Sequence, residues 1–290
     1  MPEAEAGHAA ARAALAGNPS DGYGGAVLAV TIDGLGARAR IREAPVEPVA
    51  LVEATVARLA REHAPACAGC PVELVTTIPL SVGLGGSSAI VIATLRALCA
   101  RHAVELEPVA LAELALAVEV EDLGIAAGPQ DRIAQAFGGL TFMDFAARRY
   151  ERLDPGRLPP LLIAWLVAGA AHSGVVHDDL RARFERGEPA VLSSLRTLAR
   201  AAHDARTALL VGDHEALGRA IDTSFDARAA MLELDPAHVE LIEVARDAGA
   251  SANYAGSGGA IVCACANNDQ RLAVSEALRR IGCGVLTQDP

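Results

Sequence analysis

The chain has 290 residues, 52% hydrophobic and 21% charged, with aromatics at only 3%. This is enough apolar material for a packed core of Ala, Leu, Val and Ile across one large or two ordinary domains, and it excludes a disordered chain. The formal net charge of −11 weighs against non-specific nucleic-acid binding, which requires a basic surface.

In chain order, residues 9–17 and 26–32 read as strands. They are joined by Asn18-Pro19-Ser20-Asp21-Gly22-Tyr23-Gly24-Gly25, which is dense in turn formers. Residues 48–63 place Val52, Val56 and Leu59 at helical spacing, with Pro48 suited to the first helical position. The β-branched run 72–78 reads as a strand. After the glycine-rich segment 79–86, residues 87–102 predict a helix with Val91, Leu95 and Leu98 on one face. A second long helix is expected over 108–123, stopped at Gly124. Residues 126–135 read as a loop turning into a helix, and 138–145 as a strand. Three prolines within 155–160 mark a linker. The second half predicts a buried strand over 161–169 and helices over 178–186, 189–211, 213–231 and 237–248. It continues with a second glycine loop at 254–259, a strand over 260–266, a helix over 269–281 and a last strand at 284–286. Interleaved strands and helices give a mixed α and β class.

Every one of the 25 cationic side chains is an arginine. Without lysine a Walker P-loop is excluded, so a catalytic cation has to be arginine, a metal ion or a backbone dipole. The six cysteines include one C-x-x-C, Cys67 and Cys70, but no second pair at zinc-site spacing, and they read as free thiols. No apolar run reaches the roughly eighteen residues of a membrane span. The start Met1-Pro2-Glu3-Ala4-Glu5 does not read as a signal peptide, so a cytoplasmic location is expected.

Four features carry chemistry. The segment Gly83-Leu84-Gly85-Gly86-Ser87-Ser88-Ala89 places glycines and two hydroxyls directly ahead of a helix. Glycine permits close backbone approach, and a helix N-terminus attracts anions, so this reads as a phosphate cradle. Ser88 stands where a dinucleotide fingerprint needs glycine, which rules that motif out. Glu119 lies in an apolar helical stretch, where a carboxylate has to be paired, metal-bound or at a surface. Asp131 follows Gly128-Pro129-Gln130 and reads equally as a helix N-cap or a catalytic carboxylate. The loop holding Asn18, Ser20 and Asp21, with Arg12 upstream, and the loop Gly256-Ser257-Gly258-Gly259 suit ligand recognition or ordinary turns. His172, Ser173, His177 and Arg228 have polar side chains suited to a sugar contact, although residue type alone favours a structural role.

The order of these features resembles the GHMP kinase family (galacto-, homoserine, mevalonate and phosphomevalonate kinases). Motif one resembles 12–25, motif two 79–89 and motif three 254–259. Within the family, Gly17-Asn18-Pro19-Ser20-Asp21, Gly124-Ile125-Ala126-Ala127-Gly128-Pro129-Gln130-Asp131-Arg132 and Phe225-Asp226-Ala227-Arg228 are similar to glucuronokinases. The resemblance implies an α+β fold with two domains. Residues 1–156 would form an N-terminal mixed-sheet domain with a left-handed βαβ crossover, and 157–290 a ferredoxin-like C-terminal domain.

The resemblance further implies ATP-dependent phosphorylation of a sugar or uronic acid at an alcohol or anomeric hydroxyl, with ATP and Mg²⁺ bound. Gly83 to Ala89 would cradle the phosphates, and Ser88 and Glu119 would hold Mg²⁺. Asp131 would act at the attacking hydroxyl, with Arg12 beside it. Asn18, Ser20, Asp21, Gly256, Ser257, Gly258 and Arg228 would face the substrate. Asp222-Thr223 departs from the asparagine-containing pair expected ahead of Phe225, which leaves the sugar's identity open. A mevalonate-type kinase, a same-fold decarboxylase and a non-catalytic nucleotide or sugar sensor are the alternatives. The expected partners are ATP and a sugar-like molecule, with no nucleic acid or membrane, for a monomer or homodimer.

Overall fold

The computed structural model describes residues 6–167 and 174–289, which divide into two compact units. His172 and Ser173 lie outside the described residues, and nothing is described of the His177 side chain.

One unit takes in residues 1–12, 31–79 and 85–138. It contains parts of β1 (Ala6–Ala16) and β2 (Ala26–Ile41) and all of α1 (Ala50–Glu62), β3 (Val72–Thr76), α2 (Gly86–His102), α3 (Pro108–Ala117) and α4 (Gln130–Phe137). Helix α2 packs against α1, α3 and α4. Its burial is wider than a single face: Ser88, Ala89, Ile92, Ala93 and Thr94 are buried along with Val91, Leu95 and Leu98. A helix enclosed on several sides is apolar nearly all round, and each buried leucine there contributes about 1.5–3 kcal/mol.

The helix expected over 108–123 does not run through. It starts with Pro108 in its first turn, and after Ala117 it widens into a π turn, Val118–Asp122. A π turn inside a helix often marks a functional position. Here Arg58 of α1 braces it. Its guanidinium donates to Asp122 Oδ2 at 2.7 Å, Glu121 Oε2 at 2.6 Å and the Ala117 carbonyl at 3.2 Å, and also to Glu62 Oε1 at 2.6 Å.

The other unit takes in residues 13–30, 80–84 and 139–290. It carries β4 (Leu140–Asp144), β5 (Arg149–Leu153) and β6 (Leu161–Leu166), then helices α5 (Gly174–Glu185), α6 (Pro189–Val211), α7 (His214–Ala229) and α8 (Pro236–Asp247). Strands β7 (Ser251–Tyr254) and β8 (Ala260–Ala264), helix α9 (Asn268–Arg280) and strand β9 (Cys283–Gln288) complete it. The proline-rich 155–160 stretch contains a 3₁₀ turn, Pro155–Arg157, capped by the Asp154 side chain.

The first sheet has the order β1-β2-β4-β5 with β3 also on β2, and the second runs β7-β8-β6-β9. The second order, with helices between β6 and β7 and between β8 and β9, is the ferredoxin-like arrangement. Its apolar face, with Leu162, Ile261 and Cys263, packs with Phe225, Leu241, Ile242, Val274 and Leu278. The chain is thus an α+β protein. The pairs β2–β3, β2–β4 and β4–β5 are antiparallel, as are β6–β8, β6–β9 and β7–β8. Among the described residues no helix is long and apolar enough to cross a membrane.

Candidate active site

The glycine-rich segment turns into α2 at Gly85, whose backbone is left-handed with φ 72° and ψ 37°. Glycine is needed there for conformation and for space. A Cβ would stand 3.0 Å from Gln135 Nε2, 3.2 Å from Arg12 Cγ and 3.4 Å from Ser88 Oγ. The Gly85 carbonyl accepts from the Ala89 amide at 3.0 Å, from Ser88 Oγ at 3.1 Å and from Gln135 Nε2 at 2.9 Å. No side chain caps the helix, so its leading amides and positive dipole end suit an anion. Gly86 and Ser87 are half-buried at this mouth, while Leu84, Ser88 and Ala89 are buried.

Helix α4 presents Asp131 in its first turn. The residue at the N-cap position is Pro129, so Asp131 is not a cap. Its carboxylate instead receives the fork of Arg12, Nε to Oδ1 at 2.6 Å and an Nη to Oδ2 at 2.7 Å. Two parallel charge-assisted bonds fix both planes. Arg12 is buried, and the Asp131 side chain keeps 17% of its exposure.

Glu119 projects from the π turn and is completely buried. Its Oε2 accepts from Arg132 at 2.6 Å and 2.5 Å, whereas its Oε1 has no hydrogen-bond partner. Arg132 also donates to the Gly128 carbonyl at 2.7 Å and stands 3.9 Å from Asp131 Oδ2. The structure therefore joins Glu119, Arg132, Asp131, Arg12, Gly85 and Ser88 into one contiguous chain of contacts. Charges alternate along its four ionised members.

The other unit builds a different constellation. The Asn18–Pro19 peptide bond is cis, and a 3₁₀ turn Ser20–Tyr23 follows it. Ser20 Oγ donates to the Ala26 carbonyl at 3.0 Å, which closes the loop, and Ser20, Asp21 and Asn18 are all buried. Arg228 of α7, 3% exposed, donates to Asn18 Oδ1 at 2.8 Å, the Gly256 carbonyl at 2.6 Å and the Ser257 carbonyl at 3.0 Å. Its guanidinium lies 5.1 Å from the Tyr254 ring centroid. Burial pushes the Tyr254 phenol well up, with Arg228 opposing.

A Cβ on Gly83 would come within 2.8 Å of the Gly258 carbonyl oxygen and 3.0 Å of the Ser257 nitrogen, so these two glycine-rich segments lie backbone to backbone. Ser224 adds a further tie, accepting from the Gly17 amide at 3.0 Å and from Asn253 Nδ2 at 3.3 Å. Asp222, the departure noted in the sequence, holds structure: its Oδ1 accepts from Arg246 at 3.1 Å and from the Ala252 amide at 3.0 Å.

Sequence reasoning did not single out Arg132, Gln135 or Arg58. A buried Glu119 required a cation, and that was the available signal for Arg132. Nothing local marks Gln135, whose partners are 50 and 125 positions away. The cysteines are free, and among the described residues no group of three or more His, Cys, Asp or Glu could hold a metal ion.

Comparison with known proteins bears on this arrangement. The family model for the GHMP kinases N terminal domain matches residues 50–139, and that for GHMP kinases C terminal matches 205–282, together more than half of the chain. The chain is similar to glucuronokinase 1 of Arabidopsis thaliana, 37% identical over 216 residues that cover 69% of this chain and 59% of that protein. Its similarity to probable glucuronokinase 2 of the same plant is 37% over 217 residues, covering 69% and 58%. The chain thus spans less than two thirds of the length of these curated relatives. In fold it is similar to Lactococcus lactis galactokinase complexed with galactose, with a TM-score of 0.80 over 98% of this chain and 93% of that one at 17% identity. The two matched family domains establish that the chain belongs to the GHMP kinase family.

Proposed function

We propose that this chain is an ATP-dependent sugar kinase that transfers the terminal phosphoryl group of ATP to a hydroxyl of a sugar or uronic acid, giving a sugar 1-phosphate. The observation that carries the reading is the Arg12–Asp131 fork lying against Gly85 at the mouth of α2. Phosphoryl transfer needs positioning and charge neutralisation more than covalent help. The α2 amides supply anion-binding donors, and Arg12 supplies a fixed cation beside them. Held by Arg12 at both oxygens, the Asp131 carboxylate has a fixed orientation from which to act on the acceptor hydroxyl. As the hydroxyl oxygen bonds to phosphorus and the bridging P–O bond to the β-phosphate breaks, Asp131 takes the hydroxyl proton. The similarity to two glucuronokinases supports a uronic acid as acceptor.

A Mg²⁺ ion fits the residues present. Glu119 has one oxygen held by Arg132 and a buried Oε1 without a partner, and Ser88 adds a hydroxyl. A hard cation takes such oxygen donors and completes its shell with water and phosphate. Bound there, it would neutralise charge on the β- and γ-phosphates.

The test is ATP consumption against a panel of neutral sugars, uronic acids and isoprenoid alcohols, with products read by phosphorus NMR. Turnover with a sugar or uronic acid and a new sugar phosphate signal is expected. Phosphorylation of an isoprenoid alcohol alone, or nucleotide binding without transfer, would replace this reading.

A further inference from the structure

We infer that Gln135 is a positioning residue of the phosphate loop, linking the helix that carries Asp131 to the peptide that opens α2. The inference rests on the kinase reading and deepens it. Asp131 and Gln135 are four residues apart on α4, so they share a helix face. Asp131 engages Arg12, whose Cγ lies against Gly85, while Gln135 engages Gly85 directly. The Gln135 amide spends its donors on two backbone carbonyls, Gly85 at 2.9 Å and Ala10 at 3.0 Å. Its Oε1 is buried without a partner, and the side chain is 1% exposed. Both bonds need N–H donors, so the amide cannot be flipped without losing them.

The consequence follows from peptide geometry. In a trans peptide the carbonyl and the next N–H point in opposite directions. With the Gly85 oxygen held inward by Gln135, Ser88 and the Ala89 amide, the Gly86 N–H is aimed outward at the helix mouth. Gly85 is left-handed, and glycine has low barriers to other conformations, so the peptide would drift without the side-chain ties. Gln135 thus sets the direction of the first anion-binding amide, using the same helix that orients the acceptor's carboxylate.

The experiment compares the 290-residue chain with Gln135→Leu and Gln135→Met, both of which remove the amide donors without adding a charge beside Asp131. Titration calorimetry with Mg·ADP, steady-state kinetics and thermal melting are measured on each. Both variants are expected to bind Mg·ADP roughly three- to ten-fold more weakly, the size of one net hydrogen bond. KM for ATP should rise with it, while KM for the sugar stays within about twofold. Nitrogen–proton NMR should show the ADP-induced shift of the Gly86 amide reduced. A folded variant with wild-type Mg·ADP affinity overturns the assignment, as does one that loses only melting temperature. If Gln135→Leu fails to fold, Gln135→Met decides by the same readouts. A wild-type protein that binds Mg·ADP but transfers phosphate to no sugar would sink the kinase reading and leave this assignment standing.

Discussion

Both units bury arginines at their candidate ligand surfaces, but they give them different partners. In the unit carrying α2 and α4, Arg12 and Arg132 face carboxylates. In the unit carrying α7, Arg228 faces an amide oxygen, two backbone carbonyls and a tyrosine ring. The first arrangement fixes ionised oxygens where charge has to be managed. The second uses a cation as a clamp that sets the shape of two loops. Breaking a buried ion pair leaves an uncompensated charge, whereas losing a clamp leaves neutral acceptors short of donors, and the costs differ accordingly.

Substitutions can test this contrast. Asp131→Ala should have the largest effect, lowering kcat by roughly two to four orders of magnitude with little change in Mg·ATP affinity; full activity would remove Asp131 from the chemistry. Arg132→Met should lower unfolding free energy by about 3–5 kcal/mol, because Glu119 is then buried unpaired. Denaturant unfolding measures this, and adding Glu119→Gln should return much of the loss; if it does not, the pair is not the source. Arg228→Met should cost about 1.5–3 kcal/mol and raise KM for the sugar more than KM for ATP. A loss confined to ATP binding would erase the distinction between the two units. Ser88→Ala should be mildest, removing a neutral hydrogen bond of about 1 kcal/mol and weakening Mg·ATP binding. Unchanged Mg²⁺ dependence in that variant would count against Ser88 as a metal-facing hydroxyl.

Local patterns in the sequence reached the elements and stopped short of the pairings. The change from glycine-rich loop to helix is visible at 85–88, and α2 begins at Gly86. Periodicity also located α6 and α9, because amphipathic spacing is a property of neighbours. It missed β5, where Arg149-Tyr150-Glu151-Arg152-Leu153 is too charged to announce a strand and is held by pairing with β4. Strand β7 is four residues long and was hidden ahead of its glycine loop. The sequence raised Glu119 through the cost of burying a carboxylate, but its partner on α4 depends on how α3 and α4 pack. Asp131 as an N-cap was a local inference defeated by a distant one, since Arg12 lies 119 positions away. Gln135 could not be found from composition or spacing, because its amide serves carbonyls from two other segments.

The π turn at Val118–Asp122 makes the site sensitive to chain length. Successive residues of an α-helix are rotated by roughly 100° about its axis. Removing the residue between α3 and Glu119 would rotate Glu119 by about that angle, away from Arg132, even if every side chain of the site were retained. Homologous sequences aligned across residues 118–122 are therefore better compared by insertion and deletion than by residue identity: a gap of one there changes the direction in which an acid points.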